Sequence, residues 1–187
     1  MTLHPQRWLW RIGAVVVVAT VIALLASGPW RFLVGAVSGS SAAGDQPACP
    51  QGETIPIMDS PHISSAEAEK VRYNSLPPTS GPHFAFVLAP GIYADQVPDG
   101  LALHALEHGN VVVGYAPNTP PAVVKELERL AISHSDSVVL TPYAQLPNGI
   151  ALTSWGCKQV LETLDEPEVL RFIEQTSGRY EHGWRRS

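Results

Sequence analysis

One stretch near the amino terminus restricts the architecture of this chain more than any other feature. Residues 12–30 read IGAVVVVATVIALLASGPW and contain no charged side chain. A helix needs roughly 20 apolar residues to cross the hydrocarbon core of a bilayer. Arg7 and Arg11 precede the stretch, and positive residues favour the cytoplasmic side. We therefore predict a cytoplasmic tail over residues 1–11 and a transmembrane anchor over residues 12–30, which binds the chain to the membrane.

Two other interpretations of the same stretch stay open. A cleaved signal peptide has a basic start, an apolar core and a cleavage site of small residues, and the small residues 41–43 read SAA. They lie far beyond the apolar core, which favours an uncleaved anchor. A buried core helix of a soluble protein is the third interpretation, but an apolar surface on every side of the helix fits lipid better.

The rest of the chain has a different composition. Residues 31–48 are rich in Gly, Ser and Ala, which is typical of a flexible linker. From residue 49 onward, 9 basic and 16 acidic residues give a net charge of −7. This acidic balance, without a basic stripe carrying aromatic residues, excludes nucleic acid as an expected partner. We expect residues 49–187 to form one extracytoplasmic domain of a single-pass protein of the cell membrane.

The second half of this domain carries regular patterns. Hydrophobic periodicity and capping residues predict an order β-α-β-β-α. The predicted elements are a strand over Asn110–Tyr115, a helix capped by Thr119 with Pro120 at its first position, strands over Ser137–Thr141 and Ile150–Trp155, and a helix capped by Asp165 and ending at Ser177. The spacing predicts that the second and third strands form a hairpin. A two-layer α+β fold with a small mixed sheet is the natural packing, and a thioredoxin-like fold with the same order is the alternative.

A pair of histidines gives the first indication of chemistry. The segment HALEH places His104 and His108 four residues apart, with Glu107 between them. If Asp99 caps a short helix that ends at Gly109, both imidazoles lie on one face, one turn apart. That spacing suits chelation of zinc or copper. The same letters match the H-x-x-E-H pattern of inverted zinc proteases, but those proteases have much larger domains.

A proline-rich loop contributes a third histidine. Residues 73–83 read YNSLPPTSGPH and cannot be helical through the centre. Such a rigid loop fixes the direction of His83, which would complete a three-histidine site with one open position. Near the start of the domain, Met58 and His62 form a weaker candidate for a soft copper site. A helix over residues 64–73, with a capping box at Ser64, is predicted between these segments.

These strings resemble a known family. YNSLPPTSGPH, then GIY at residues 91–93, then HALEHG before a strand, then ALTSWG are similar to the bacterial domain of unknown function numbered 3105. The resemblance covers about residues 50–180. It implies a small exported or membrane-anchored protein without an established activity. It also implies that His83, His104, Glu107 and His108 occupy motif positions of the family.

The two cysteines are expected to pair. Cys49 and Cys157 are the only cysteines, and an extracytoplasmic location favours a disulfide. The bond would close a loop of about 108 residues, worth on the order of 4 kcal/mol in the chain-entropy model. Ligation of a soft metal by either cysteine is the alternative.

The candidate functions follow from these features. We expect a membrane-anchored protein that binds a zinc or copper ion through His83, His104 and His108, with Glu107 orienting an imidazole or acting as the fourth ligand. A non-catalytic interaction module with structural histidines is the alternative, and a metal-dependent hydrolase is a lesser one. The sequence names no protein partner.

Overall fold

The computed structural model describes residues 48–180, and the predictions for residues 1–47 lie outside that part of the chain. Among the described residues, no helix is long and apolar enough to span a membrane. Six strands and four helices form within residues 48–180. The strands are β1 (Glu53–Thr54), β2 (Gly91–Ile92), β3 (Val111–Tyr115), β4 (Val138–Pro142), β5 (Ile150–Ser154) and β6 (Cys157–Leu161). The helices are α1 (Ser65–Ala68), α2 (Asp99–Glu107), α3 (Pro121–Ser133) and α4 (Glu166–Thr176).

The strands form one mixed sheet in the order β1-β6-β5-β3-β4-β2. β2, β3 and β4 are parallel, and Val113 of β3 lies opposite Leu140 of β4. β5 is antiparallel to both β3 and β6, and β1 is antiparallel to β6. This arrangement confirms the expected α+β class and the small mixed sheet. The thioredoxin-like alternative stays a prediction.

The predicted hairpin between the second and third strands is wrong. β3 lies between β4 and β5, and it pairs with both of them. Seven residues, 143–149, connect β4 to β5, and this connection is long enough to cross from one side of β3 to the other. The hairpin instead joins β5 to β6 through a two-residue turn, Trp155–Gly156, with Ser154 opposite Cys157. Gly156 has φ of +70°, which glycine adopts without steric cost.

Helices cover both faces of the sheet. Successive side chains of a strand point to opposite faces, so Val111 and Val113 meet α3 and α4 while Val112 meets α2. The domain therefore has three layers, helix–sheet–helix, which is one more than the predicted two-layer packing. The unbroken run of three valines is typical of a strand that is buried on both faces, whereas a strand with one solvated face alternates. Phe172 of α4, which is fully buried, anchors the larger cluster.

The helix ends partly follow the predicted caps. Asp165 caps α4, since its side chain accepts a hydrogen bond from the Glu168 N–H at 3.0 Å. α3 begins one residue later than predicted, with Pro120 at the cap position in place of Thr119. Asp99 is the first residue of α2 and Pro98 precedes it as the cap. α1 is only four residues long and ends at Ala68, so the helix predicted over residues 64–73 is shorter than expected.

One disulfide and one backbone hydrogen bond connect distant segments in the part of the domain that carries the predicted site. The predicted disulfide is present, with the Cα atoms of Cys49 and Cys157 5.2 Å apart. At the end of α2, Gly109 has φ of +84°, and its carbonyl accepts a hydrogen bond from the Gly178 N–H at 2.7 Å. The carboxyl-terminal ends of α2 and α4 are thereby joined.

Candidate metal centre

His83 lies at the end of the proline-rich loop and is completely buried. Its backbone is fixed on both sides by the segment that contains His62. The His83 N–H donates to the Pro61 carbonyl at 3.1 Å, and the Ile63 N–H donates to the His83 carbonyl at 2.8 Å. These two bonds place His62 beside His83, although 20 residues separate the two in the chain.

The loop before His83 is held by Tyr73. The Tyr73 hydroxyl donates to the Pro82 carbonyl at 2.9 Å, and its ring lies 3.2 Å from where a Cβ on Gly81 would stand. Burial raises the pKa of Tyr73 to about 12, and the negative charge of Asp99 contributes to that increase. Tyr73 is therefore a neutral hydrogen-bond donor at physiological pH. The Tyr73 hydroxyl thus connects the two ends of this loop, and the rigidity of the loop stays a prediction.

Helix α2 supplies the other predicted residues. His104 and Glu107 are buried on its inner side, and His108 is the half-buried residue that ends the helix. The spacing of three and four residues brings all three side chains to the same end of the helix. Because the carboxyl-terminal end of a helix carries partial negative charge, this position favours a cation.

Both ring nitrogens of His83 have fixed partners. Nδ1 lies 2.9 Å from the Gly81 carbonyl oxygen, and Nε2 lies 3.1 Å from Oε2 of Glu107. A carbonyl oxygen only accepts a hydrogen bond, so Nδ1 carries a proton and donates it to Gly81. Nε2 is consequently the nitrogen that faces Glu107 and the cluster.

His104 has the same arrangement. Its Nδ1 lies 2.6 Å from the Phe84 carbonyl oxygen, and its Nε2 lies 3.0 Å from Nε2 of His108. Burial lowers the pKa of His104, the hydrogen bond to Phe84 opposes this, and the neighbouring His83 lowers the pKa further. The ring is therefore neutral at physiological pH, with its proton on Nδ1 and a lone pair on Nε2.

His62 also belongs to this cluster, although the sequence pattern groups it with Met58. One ligand atom from each of His62, His83 and His104 lies within 4.8 Å of those of the other two. The His62 ring is exposed and stacks on the His104 ring, with centroids 5.3 Å apart. The weaker candidate, a soft copper site of Met58 and His62, stays a prediction. A single histidine in a proline-rich segment carries no local signal for its distant partner.

The structure therefore brings all four predicted residues into one chain of contacts, and it adds His62. Glu107 reaches His83, and His108 reaches His104, while the ring centroids of His83 and His104 lie 5.1 Å apart. His108 belongs to this chain through His104, rather than to the trio with mutual distances of 4.8 Å or less. Cys49 and Cys157 are joined in the disulfide and do not serve as metal ligands.

Trp155 forms the wall of the cluster toward the core. Its ring contacts His83 edge to face, with centroids 6.2 Å apart, and stacks on Tyr180 at 5.0 Å. Burial raises the pKa of Tyr180, and the charge of Glu107 raises it further. Trp155 is thus a core residue, and the cluster has an apolar wall on this side and His62 at the solvent.

No curated protein and no solved structure matches this chain. A sequence model of one family does match it, over residues 64–185. The matched part contains His83, His104, Glu107 and His108, whereas His62 and Cys49 precede it. Together with the motif strings, this match shows that the chain belongs to the family described as Protein of unknown function (DUF3105).

Proposed function

We propose that this protein binds one transition-metal ion, zinc or copper, between His83 and His104. A single observation carries the proposal. Both imidazoles are buried, both donate Nδ1–H to a backbone carbonyl, and both direct Nε2 toward the same cluster. In metal sites, a ligating histidine almost always donates its other ring N–H in this way, which fixes the tautomer and the ring orientation.

The spacing of the polar atoms agrees with this proposal. Zinc–nitrogen bonds of about 2.0–2.1 Å in a tetrahedral site put neighbouring ligand atoms roughly 3.3 Å apart. His83 Nε2 and Glu107 Oε2 are 3.1 Å apart, and Nε2 of His104 and Nε2 of His108 are 3.0 Å apart. The hydrogen bonds of the cluster hold these pairs near the ligand spacing of a bound ion.

The test is metal content of the full-length chain after dialysis, with zinc and copper offered separately. We expect about one ion per chain, and a folded-state stabilisation of about 2.7 kcal/mol when free metal is 100 times the Kd. The double variant His83→Asn with His104→Asn should lose both effects. His134→Asn is the matched control, because His134 bonds only locally at the end of α3. A folded wild-type chain without bound metal would refute the proposal.

We also propose that residues 12–30 anchor the protein in the cell membrane, with residues 49–187 outside the cytoplasm. The uncharged sequence and the preceding arginines support the anchor. The disulfide supports an oxidising compartment. Protease added to spheroplasts should remove residues 49–187. Complete protection of the domain in intact spheroplasts would mean that the orientation is the reverse.

An interaction module remains the second candidate function because of two exposed apolar side chains. Phe86 is 75 % exposed and Val87 is 70 % exposed, and both lie in the loop that follows His83. A contiguous exposed apolar pair is one mark of an interaction site. The histidines, however, are clustered rather than dispersed. Phe86→Ser should leave metal content unchanged, since it is the carbonyl of Phe84 that contacts His104.

A further inference from the structure

The loop that follows His83 carries an apolar tip, formed by Phe86 and Val87. These are the most exposed large apolar residues in the described part of the chain, at 75 % and 70 %. They belong to residues 73–94, a segment without any Asp, Glu, Lys or Arg. Within residues 48–180, four of the seven exposed large apolar side chains lie in this uncharged segment: Leu76, Phe86, Val87 and Ile92. The domain therefore presents apolar surface with no charged residue close to it in the sequence.

The residues on both sides of the apolar tip are bound to the rest of the domain. Before the tip, the Phe84 N–H donates to the Gly100 carbonyl of α2 at 3.1 Å. After the tip, Leu88 packs against the apolar cluster around α2, and the Tyr93 hydroxyl donates to the Ala89 carbonyl at 2.7 Å. The two tip residues lie between these attachments, so the contacts at the base of the loop leave their side chains at the surface.

The size of the apolar tip favours a lipid bilayer over a protein as its partner. A stable protein–protein interface buries about 800 Å² and about 20–30 residues on each side, which two side chains do not supply. A bilayer, by contrast, accepts apolar side chains at the boundary between headgroups and acyl chains. Because the segment is uncharged, such a contact does not bring an ionised group toward the hydrocarbon, which is costly.

The proposed anchor supplies a second reason to expect lipid at the tip. The anchor ends at residue 30 and the described domain begins at residue 48, so the connection spans at most about 60 Å. Burial of the exposed parts of two such side chains favours contact by roughly 30- to 1,000-fold. A contact of this strength would hold a free domain only weakly. A tether raises the effective concentration of the domain at the bilayer, which makes the same contact sufficient.

We propose, on the basis of the membrane anchor above, that Phe86 and Val87 insert into the extracytoplasmic leaflet of the bilayer that carries the anchor. The ligand is lipid hydrocarbon and not a particular headgroup, because the segment contains no basic residue. Tyr93, at the base of the loop, is half-buried and of a residue type that is enriched at membrane interfaces. The Phe84 carbonyl that contacts His104 is two residues from the tip, so insertion holds the candidate metal centre beside the membrane.

The test uses the full-length chain reconstituted in phosphatidylcholine vesicles, with and without bromine on the acyl chains. Bromine quenches tryptophan fluorescence at close contact, and Phe86→Trp places a reporter at the tip. Ile132→Trp is the matched control, because Ile132 is 66 % exposed on α3, which covers the other face of the sheet. The wild-type signal of the five native tryptophans is subtracted in both cases. We expect brominated lipid to lower the added signal of Phe86→Trp about twofold and to leave that of Ile132→Trp unchanged.

Flotation of the vesicles distinguishes failure of this inference from failure of the anchor. A wild-type chain that does not float with the vesicles after an alkaline wash would refute the anchor. A chain that floats, but in which neither Phe86→Trp nor the second reporter Val87→Trp is quenched, would overturn the insertion and leave the anchor intact.

Two other results would also overturn the insertion. If the Phe86→Trp signal depends on protein concentration and not on bromine, the tip binds a second copy of the chain. If quenching appears only with anionic lipid and disappears in salt, headgroups and not hydrocarbon hold the loop. Equal quenching in neutral and in anionic vesicles is the result that we expect.

Discussion

Replacing Gly109 with Ala tests the junction at which α2 ends. Gly109 has φ of +84°, and a Cβ there would stand 2.5 Å from the Tyr180 carbonyl oxygen and 3.0 Å from Cα of Gly178. A left-handed backbone costs an L-residue roughly 1–2 kcal/mol. Moving the two segments apart would also break the hydrogen bond from Gly178, worth about 1 kcal/mol.

Alanine also lowers the conformational entropy of the unfolded chain, which offsets about 0.4–1 kcal/mol of this destabilisation. The sum is a loss of about 2 kcal/mol in the free energy of unfolding. Urea denaturation followed by circular dichroism measures it, and Gly109→Asn is the informative companion variant. Asparagine tolerates the left-handed region better than alanine but has the same Cβ. We therefore expect the asparagine variant to recover only the backbone part of the loss. A loss below about 0.5 kcal/mol for alanine would refute this reasoning, since ordinary surface substitutions stay within that range.

Three other predictions concern the disulfide, the loop and a buried carboxyl group. Serine at both Cys49 and Cys157 should lower the free energy of unfolding by about 4–5 kcal/mol, because the bond spans 108 residues; equal urea midpoints with and without the bond would contradict this. Gly81→Ala, at φ of +123°, should cost about 1–2 kcal/mol and weaken zinc binding, because the Gly81 carbonyl orients His83; calorimetric zinc titration unchanged from wild type would contradict the second effect. Burial raises the pKa of Asp99 in the folded state, so its ionisation opposes folding at neutral pH. Asp99→Asn should therefore raise the free energy of unfolding at pH 7, and the gain should disappear as the pH falls below 3.8, where the carboxyl group is protonated in both states; a gain that persists at pH 3 would show another cause.

The sequence predicts the elements of the domain better than their arrangement. β3, α3 and α4 follow from periodicity and from signals such as Asp165, because these depend on neighbouring residues. The pairing of β5 with β3 rather than with β4 depends on contacts between distant segments, which local patterns do not encode. The two-residue strands β1 and β2 are too short to produce a pattern.

The same limit applies to the candidate site. The spacing of His104, Glu107 and His108 determines their common side of α2, so the sequence already placed them together. His83 could be added because the prolines before it make the loop rigid. His62 could not be predicted as part of the site, because its position depends on two backbone hydrogen bonds between its neighbours and His83, and no residue pattern near His62 in the sequence indicates them.

The disulfide has a mechanical consequence if the proposed membrane anchor tethers the domain. Tension applied at the amino-terminal end reaches Cys49 and passes through the sulfur–sulfur bond directly to Cys157. Residues 50–156 form a closed loop outside that line of force, and every histidine of the cluster lies in this loop. Tension between Cys49 and Cys157 is therefore borne by the sulfur–sulfur bond before it is borne by the covalent backbone of residues 50–156. Reduction of the disulfide would transfer the same tension to β1 and to the backbone of the loop that holds His62 and His83.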